Sequence, residues 1–122
     1  MKMTILTVDD SRTMREMLRR ALEDSGFNVV QAEDGVHGLE VLDGMDRPDV
    51  IITDVNMPRM DGLTFIEEVR SEQARRVIPI LVLSTESDVE KKARARKAGA
   101  TGWIVKPFDP VKLVDAIRRV AA

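Results

Sequence analysis

The chain has 122 residues, the length of one ordinary domain, with 43% apolar residues to fill a core and 33% charged residues to solvate a surface. Its 19 Lys and Arg stand against 21 Asp and Glu, a net charge of -2, without the basic surplus of a dedicated nucleic-acid binder. With no Cys and a single His, His37, there is no disulfide framework, thiolate zinc site, Cys nucleophile or His-rich metal site, which leaves carboxylates, hydroxyls and lysines for chemistry.

In chain order, Met1-Lys2-Met3-Thr4-Ile5-Leu6 runs directly into an apolar segment and lacks the small-residue cleavage site of a signal peptide. Ile5-Leu6-Thr7-Val8 is apolar on successive rather than alternate positions, the pattern of a parallel strand buried on both faces. Met14, Met17, Leu18, Ala21 and Leu22 then fall on one helix face, and Gly26 stands where that helix should stop in a left-handed turn. Asn28-Val29-Val30-Gln31-Ala32 is a weaker strand whose Asn28 and Gln31 mark a sheet edge. Val36, Leu39 and Leu42 predict a short second helix, Val50-Ile51-Ile52 a third strand, and Leu63, Ile66 and Val69 a third helix.

Ile80-Leu81-Val82-Leu83 predicts the fourth strand. A fourth helix, about Asp88 to Ala98, is expected to open on the capping box Ser87-x-x-Glu90 and to stop at Gly99. Its face is Ala93, Ala95 and Ala98 among Lys91, Lys92, Arg94, Arg96 and Lys97, so it buries little apolar area and should dock weakly. Trp103-Ile104-Val105 reads as a fifth strand, buried on both faces like the others. Asp109-Pro110, an N-cap followed by proline at the first helical position, opens a last helix with Leu113, Ala116, Ile117, Val120 and Ala121 on one face.

Five βα units in series predict an α/β fold: a five-stranded parallel sheet in the order 2-1-3-4-5, with right-handed crossovers and five helices on both faces. The whole of 1–122 is expected to be a single domain. No apolar run approaches the roughly 18 residues of a membrane span, so neither membrane nor nucleic acid is an expected partner and the cytoplasm is the expected location. The chain order places a switch point between the first and third strands, and ligand chemistry in open α/β sheets sits at the carboxyl ends of the strands there.

Those ends carry chemistry. The first strand ends in Asp9-Asp10, the third in Asp54, the fourth in Ser84-Thr85 and the fifth in Lys106. Each has a plain alternative: Asp9-Asp10 as acids favoured at a helix N-terminus, Asp54 as a solvated strand-end acid, Ser84 as a turn former and Lys106 as a loop lysine. Together they place three like charges at one mouth, which repel unless a cation sits among them. Lys106 supplies one charge; a hard divalent ion held by oxygens, Mg²⁺, fits the remainder. A carboxylate beside such an ion, with an ammonium and a hydroxyl waiting, is arranged to attack phosphorus and become an aspartyl phosphate. A phosphatase with an Asp nucleophile is the competing reading, against which Asn56, two residues beyond Asp54, is no acid to protonate a leaving group.

Asp9-Asp10, the run Asp54-Val55-Asn56-Met57-Pro58-Arg59-Met60-Asp61-Gly62, Ser84 and Gly102-Trp103-Ile104-Val105-Lys106-Pro107-Phe108 resemble the receiver domain of two-component response regulators, the stand-alone chemotaxis regulators in particular. The resemblance spans essentially the whole chain. It implies that Asp54 accepts the phosphoryl group, that Asp9, Asp10, Asp54 and the backbone carbonyl of Asn56 hold Mg²⁺, and that Lys106 contacts the phosphoryl group. It implies a cis Lys106–Pro107 peptide, Ser84 (or, in the other register, Thr85) as the switch hydroxyl, Trp103 as the switch aromatic, and Asn56 and Glu86 as residues that tune hydrolysis. The implied donor is a histidine kinase or phosphotransfer domain, docking near Ser11-Arg12-Thr13-Met14, and the implied target is the flagellar motor switch. A phosphate sink or a receiver with a non-motor target is the alternative. On this reading the chain is a monomer without an output domain and is not an enzyme beyond its own phosphorylation and dephosphorylation.

Overall fold

The computed structural model describes residues 2–122. The strands β1 (Thr4–Val8), β2 (Asn28–Ala32), β3 (Val50–Thr53), β4 (Ile80–Ser84) and β5 (Gly102–Val105) form one parallel sheet in the order β2-β1-β3-β4-β5. Between and after them run α1 (Arg12–Asp24), α2 (Gly35–Asp43), α3 (Gly62–Ser71), α4 (Val89–Ala98) and α5 (Pro110–Ala121). A short 3-10 turn at Gln73–Arg75, which no sequence period marks, follows α3.

Successive strand residues point to opposite faces, and the core divides accordingly. Leu6, Ile51, Ile80 and Val82 pack with Leu42, Phe65, Ile66 and Ala95, so α2, α3 and α4 cover one face. Ile5, Val50, Ile52, Leu81 and Leu83 pack with Leu18, Leu22, Leu113 and Ile117, so α1 and α5 cover the other. Both faces being covered is why the inner strands β1, β3 and β4 are buried at every position but Thr4. As Asn28 and Gln31 indicate, β2 is an edge strand. β5 departs from the expected double burial: it is the opposite edge, half-buried, with Val105 41% exposed.

Two further expectations are corrected. Met17 lies 47% exposed, because the buried line of α1 runs through Leu18 and Leu22, and Met17 stands one residue, about 100°, around the helix from Leu18. The cap of α4 is Asp88, not Ser87: the Asp88 carboxylate accepts from the Glu90 N–H at 2.8 Å. An Asp caps as well as a Ser and adds negative charge at the helix N-terminus. The other punctuation stands, with Asp109 capping α5 ahead of Pro110, and Gly26 and Gly99 at φ +90° and +120°.

α4 buries only Ala95. Its far end is held by Arg70 of α3, whose guanidinium donates to the Gly99 carbonyl from Nε at 3.1 Å and Nη2 at 2.8 Å, and from Nη1 to the Arg75 carbonyl at 2.8 Å. No helix among the described residues is long and apolar enough to cross a membrane.

Candidate functional site

The sheet ladder runs one residue beyond the strands and so aligns the site. The Asp9 N–H donates to the Ala32 carbonyl at 3.1 Å, the Asp54 N–H to the Val8 carbonyl at 3.0 Å, and the Lys106 N–H to the Ser84 carbonyl at 2.7 Å. Asp9, Asp54 and Lys106 therefore leave the sheet at one level, at the carboxyl ends of β1, β3 and β5. Ser11 caps α1 directly after Asp10, its hydroxyl accepting from the Met14 N–H at 3.2 Å. The Asp9 carboxylate accepts from the Ser11 N–H at 2.9 Å, while Arg15, one turn into α1, donates to the Asp9 carbonyl at 2.7 Å.

Carboxylate oxygens of Asp9, Asp10 and Asp54 lie within 4.8 Å of one another, with Asp9 buried, Asp54 partly buried and Asp10 exposed at the mouth. The Lys106 ammonium reaches both inner acids, 3.0 Å from Asp9 Oδ2 and 3.2 Å from Asp54 Oδ2. Asp54 Oδ1 accepts from the Val55 N–H at 2.7 Å. The Lys106–Pro107 peptide is cis, as the resemblance implies. Gly62 is a requirement of close approach: a Cβ there would stand 1.9 Å from the Asp54 carbonyl oxygen, so only glycine lets α3 start beside Asp54.

Charge and burial compete in this pocket. Burial pushes the Asp54 carboxyl above the ordinary carboxylate range; Lys106 and the Val55 N–H pull the other way, and Asp9 adds to the rise. Burial by itself would lower the Lys106 ammonium, but the hydrogen bond and charge of Asp9, with those of Asp54, outweigh it and hold the lysine above its usual value. Three carboxylates thus meet beside one ammonium, which contacts two of them, Asp9 and Asp54. Their donor set is all hard oxygen, with Asp10 open to solvent, which fits a small divalent ion.

The second half of the site is the loop after β4. Ser84 is 1% exposed whereas Thr85 is exposed, so the inward hydroxyl is that of Ser84. Its oxygen accepts from the Glu86 N–H at 3.2 Å. The Asn56 amide donates to the Glu86 carboxylate at 3.1 Å, and Lys91 forms an ion pair with the same carboxylate. Lys91 first, and Asn56 second, hold Glu86 below the usual range. The indole N–H of Trp103 donates to the Glu86 carbonyl at 2.8 Å. Asn56, Ser84 and Trp103, from three separate stretches of sequence, thus meet around Glu86. Sequence reasoning missed Arg15 and Lys91, because nothing in local spacing separates them from other surface cations; an Arg one turn after a helix cap was the only available signal.

A family model described as response regulator receiver domain matches residues 5–118. The chain belongs to that family. The receiver is a signalling module rather than a catalytic enzyme. Among similar proteins, chemotaxis protein CheY1 of Helicobacter pylori (strain ATCC 700392 / 26695) is 41% identical over 119 residues, covering 97% of this receiver and 96% of the relative. Response regulator MprA of Mycobacterium leprae (strain TN) is 43% identical over 116 residues, which are 95% of this receiver but 50% of the relative. The solved structure of Vibrio cholerae chemotaxis protein CheY4 superposes with a TM-score of 0.93 at 43% identity, covering 98% of this receiver and 99% of that chain.

Proposed function

We propose that this receiver is a phosphorylation-activated switch of a two-component phosphorelay, with Asp54 as its phospho-acceptor. The observation that carries the reading is the lysine-bridged acid cluster: Asp9 and Asp54 are each held by Lys106 on one oxygen and a backbone N–H on the other, but Asp9 is buried whereas Asp54 is partly exposed to an incoming donor. An Asp54 oxygen would attack the phosphorus of a kinase phosphohistidine; the new O–P bond forms as the P–N bond breaks, and the imidazole nitrogen leaves with the electron pair. Asp9, Asp10, Asp54 and the backbone carbonyl of Asn56 are the residues that would hold Mg²⁺. That ion would supply positive charge against the oxygens of the transferring group. Lys106 contributes a second positive charge from the protein itself.

Phosphorylation adds roughly two negative charges and three acceptor oxygens. The Ser84 hydroxyl, now paired with the Glu86 N–H, would turn to one of these oxygens and draw the loop inward. Trp103, bonded to the carbonyl of that loop, would repack with it and change the surface formed by α4, β5 and α5. Asn56 and Glu86, joined across the mouth, would tune attack of water on the aspartyl phosphate, as the resemblance implies. The catalysis is confined to the receiver's own phosphorylation and dephosphorylation, in the cytoplasm, with the receiver acting as a monomer.

The similarity to two chemotaxis proteins over nearly their full lengths supports the flagellar motor switch as the target. The comparable identity to MprA, a response regulator half of which is matched, supports the second reading, a receiver with a non-motor target or a phosphate sink. Acetyl phosphate or a histidine kinase should label the wild type and not Asp54→Asn; full labelling of that variant would overturn the choice of acceptor. Pull-down of motor switch protein with and without beryllofluoride separates the targets, and binding indifferent to beryllofluoride would remove the motor from the proposal.

A further inference from the structure

The loop between β3 and α3 carries Asn56 and is tied to the N-terminus of α2 by contacts that phosphotransfer does not itself use. Arg59 donates from Nε to Asp34 Oδ2 at 2.8 Å and from Nη2 to Asp34 Oδ1 at 3.1 Å, a two-pronged contact. The Asp34 side chain is 7% exposed and that of Arg59 55%. Asp34 also caps α2, accepting from the His37 N–H at 2.9 Å, so both of its oxygens are committed. Beside it the Gly35 N–H donates to the Met60 carbonyl at 3.3 Å, and a Cβ on Gly35 would lie 2.7 Å from Met60 Cγ. The two segments approach too closely for any side chain at position 35.

Arg59 has φ +64°, the only positive value at a non-glycine among the described residues. Left-handed backbone is disfavoured for a residue with a Cβ, and glycine would adopt it more easily. An arginine standing there, with its fork closed on a buried carboxylate, indicates that the contact and not the turn accounts for the residue. Lysine could supply the charge but not the fork.

We propose that Arg59 is a positioning residue: its fork onto Asp34 clamps the β3–α3 loop against α2 and thereby fixes where Asn56 stands at the mouth of the acid pocket. The inference rests on the receiver chemistry proposed above. With the clamp open, the Asn56 carbonyl is held less firmly toward a divalent ion, and its amide less firmly toward Glu86.

The test uses the full chain and three variants. Arg59→Gly removes the fork and relieves the left-handed strain, Arg59→Lys keeps the charge, and Asp34→Asn keeps the helix cap and loses the charge. The Mg²⁺ dissociation constant is read from amide chemical shifts, the aspartyl-phosphate lifetime from decay of acetyl-phosphate labelling, and folding from urea denaturation. Arg59→Gly and Asp34→Asn should each weaken Mg²⁺ binding by about tenfold, the lower end of the loss when an outer-shell partner of a metal ligand is removed. Arg59→Lys should fall between them and the wild type, and the double variant should be no weaker than either single one. A purely structural role would move the urea midpoint and leave the Mg²⁺ constant alone. Folded Arg59→Gly and Asp34→Asn proteins with wild-type Mg²⁺ affinity and lifetime would overturn the clamp. A wild type that neither binds Mg²⁺ nor accepts phosphate would overturn the receiver chemistry beneath it.

Discussion

Lys106 stands between two acids that would otherwise face each other without a counter-charge, 3.0 Å from Asp9 and 3.2 Å from Asp54. Lys106→Ala should destabilise the metal-free protein by about 2–3 kcal/mol, at or below the lower end for breaking a buried pair because the pocket mouth is open. Added Mg²⁺ should restore part of that loss, since it replaces the missing positive charge; urea denaturation with and without the ion reads both effects, and a variant insensitive to Mg²⁺ would count against a divalent site. At Asp34 the sign of the pH dependence follows from Arg59, whose hydrogen bond holds the carboxyl below its ordinary value. A depressed folded value means stability that is present above the unfolded value and lost as pH falls through the folded one. The wild type should therefore exceed Asp34→Asn in urea midpoint above about pH 5, with the gap closing below about pH 4. The acids were legible in the sequence because each closes an apolar run and the run order brings their ends together. Arg59, Arg15 and Lys91 were not: each finds its partner through loop geometry that no hydrophobic period encodes.

At the scale of elements, α4 is the least anchored of the helices. Its charged sequence announced this, with alanines where other helices place leucine, and the structure leaves Ala95 as its only buried residue. What the sequence did not announce is the tether of Arg70 to the Gly99 carbonyl, an arginine from the preceding helix closing a carbonyl beyond the end of α4. Burial holds the Arg70 guanidinium below its usual pKa, and its partners are backbone carbonyls. Arg70→Ala should speed amide hydrogen exchange in α4 by about tenfold, equivalent to about 1.4 kcal/mol, the range of a charge-assisted hydrogen bond. Exchange in α1 and α5, on the opposite face of the sheet, should stay unchanged. Equal acceleration on both faces would mean that the tether supports the whole fold instead of one helix. The misread cap of α4 has a similar origin. Ser87 and Asp88 are adjacent capping residues, and only the backbone decides which of them reaches the first free N–H.

For the whole molecule, the order of apolar runs was enough to reach the sheet topology, because runs too short for helices alternated with periodic segments five times. The edges were harder: β2 declared itself through Asn28 and Gln31, whereas β5 has the composition of an inner strand and its exposure comes from being last in the sheet. Linkage gives a test at this scale. Mg²⁺ at 100 times its dissociation constant should raise the unfolding free energy by about 2.7 kcal/mol, because the acids come together only in the folded chain. Asp54→Asn should gain markedly less at the same Mg²⁺ concentration, and an equal gain would place the ion elsewhere.

The division of the core into two layers also bears on how such a molecule diverges. Residues on the outer side of α4 contribute almost nothing to holding the sheet, so their chemistry can be rewritten generation after generation while the acid cluster at the strand ends stays as it is. New recognition can be acquired on that helix without first re-establishing the ability to fold.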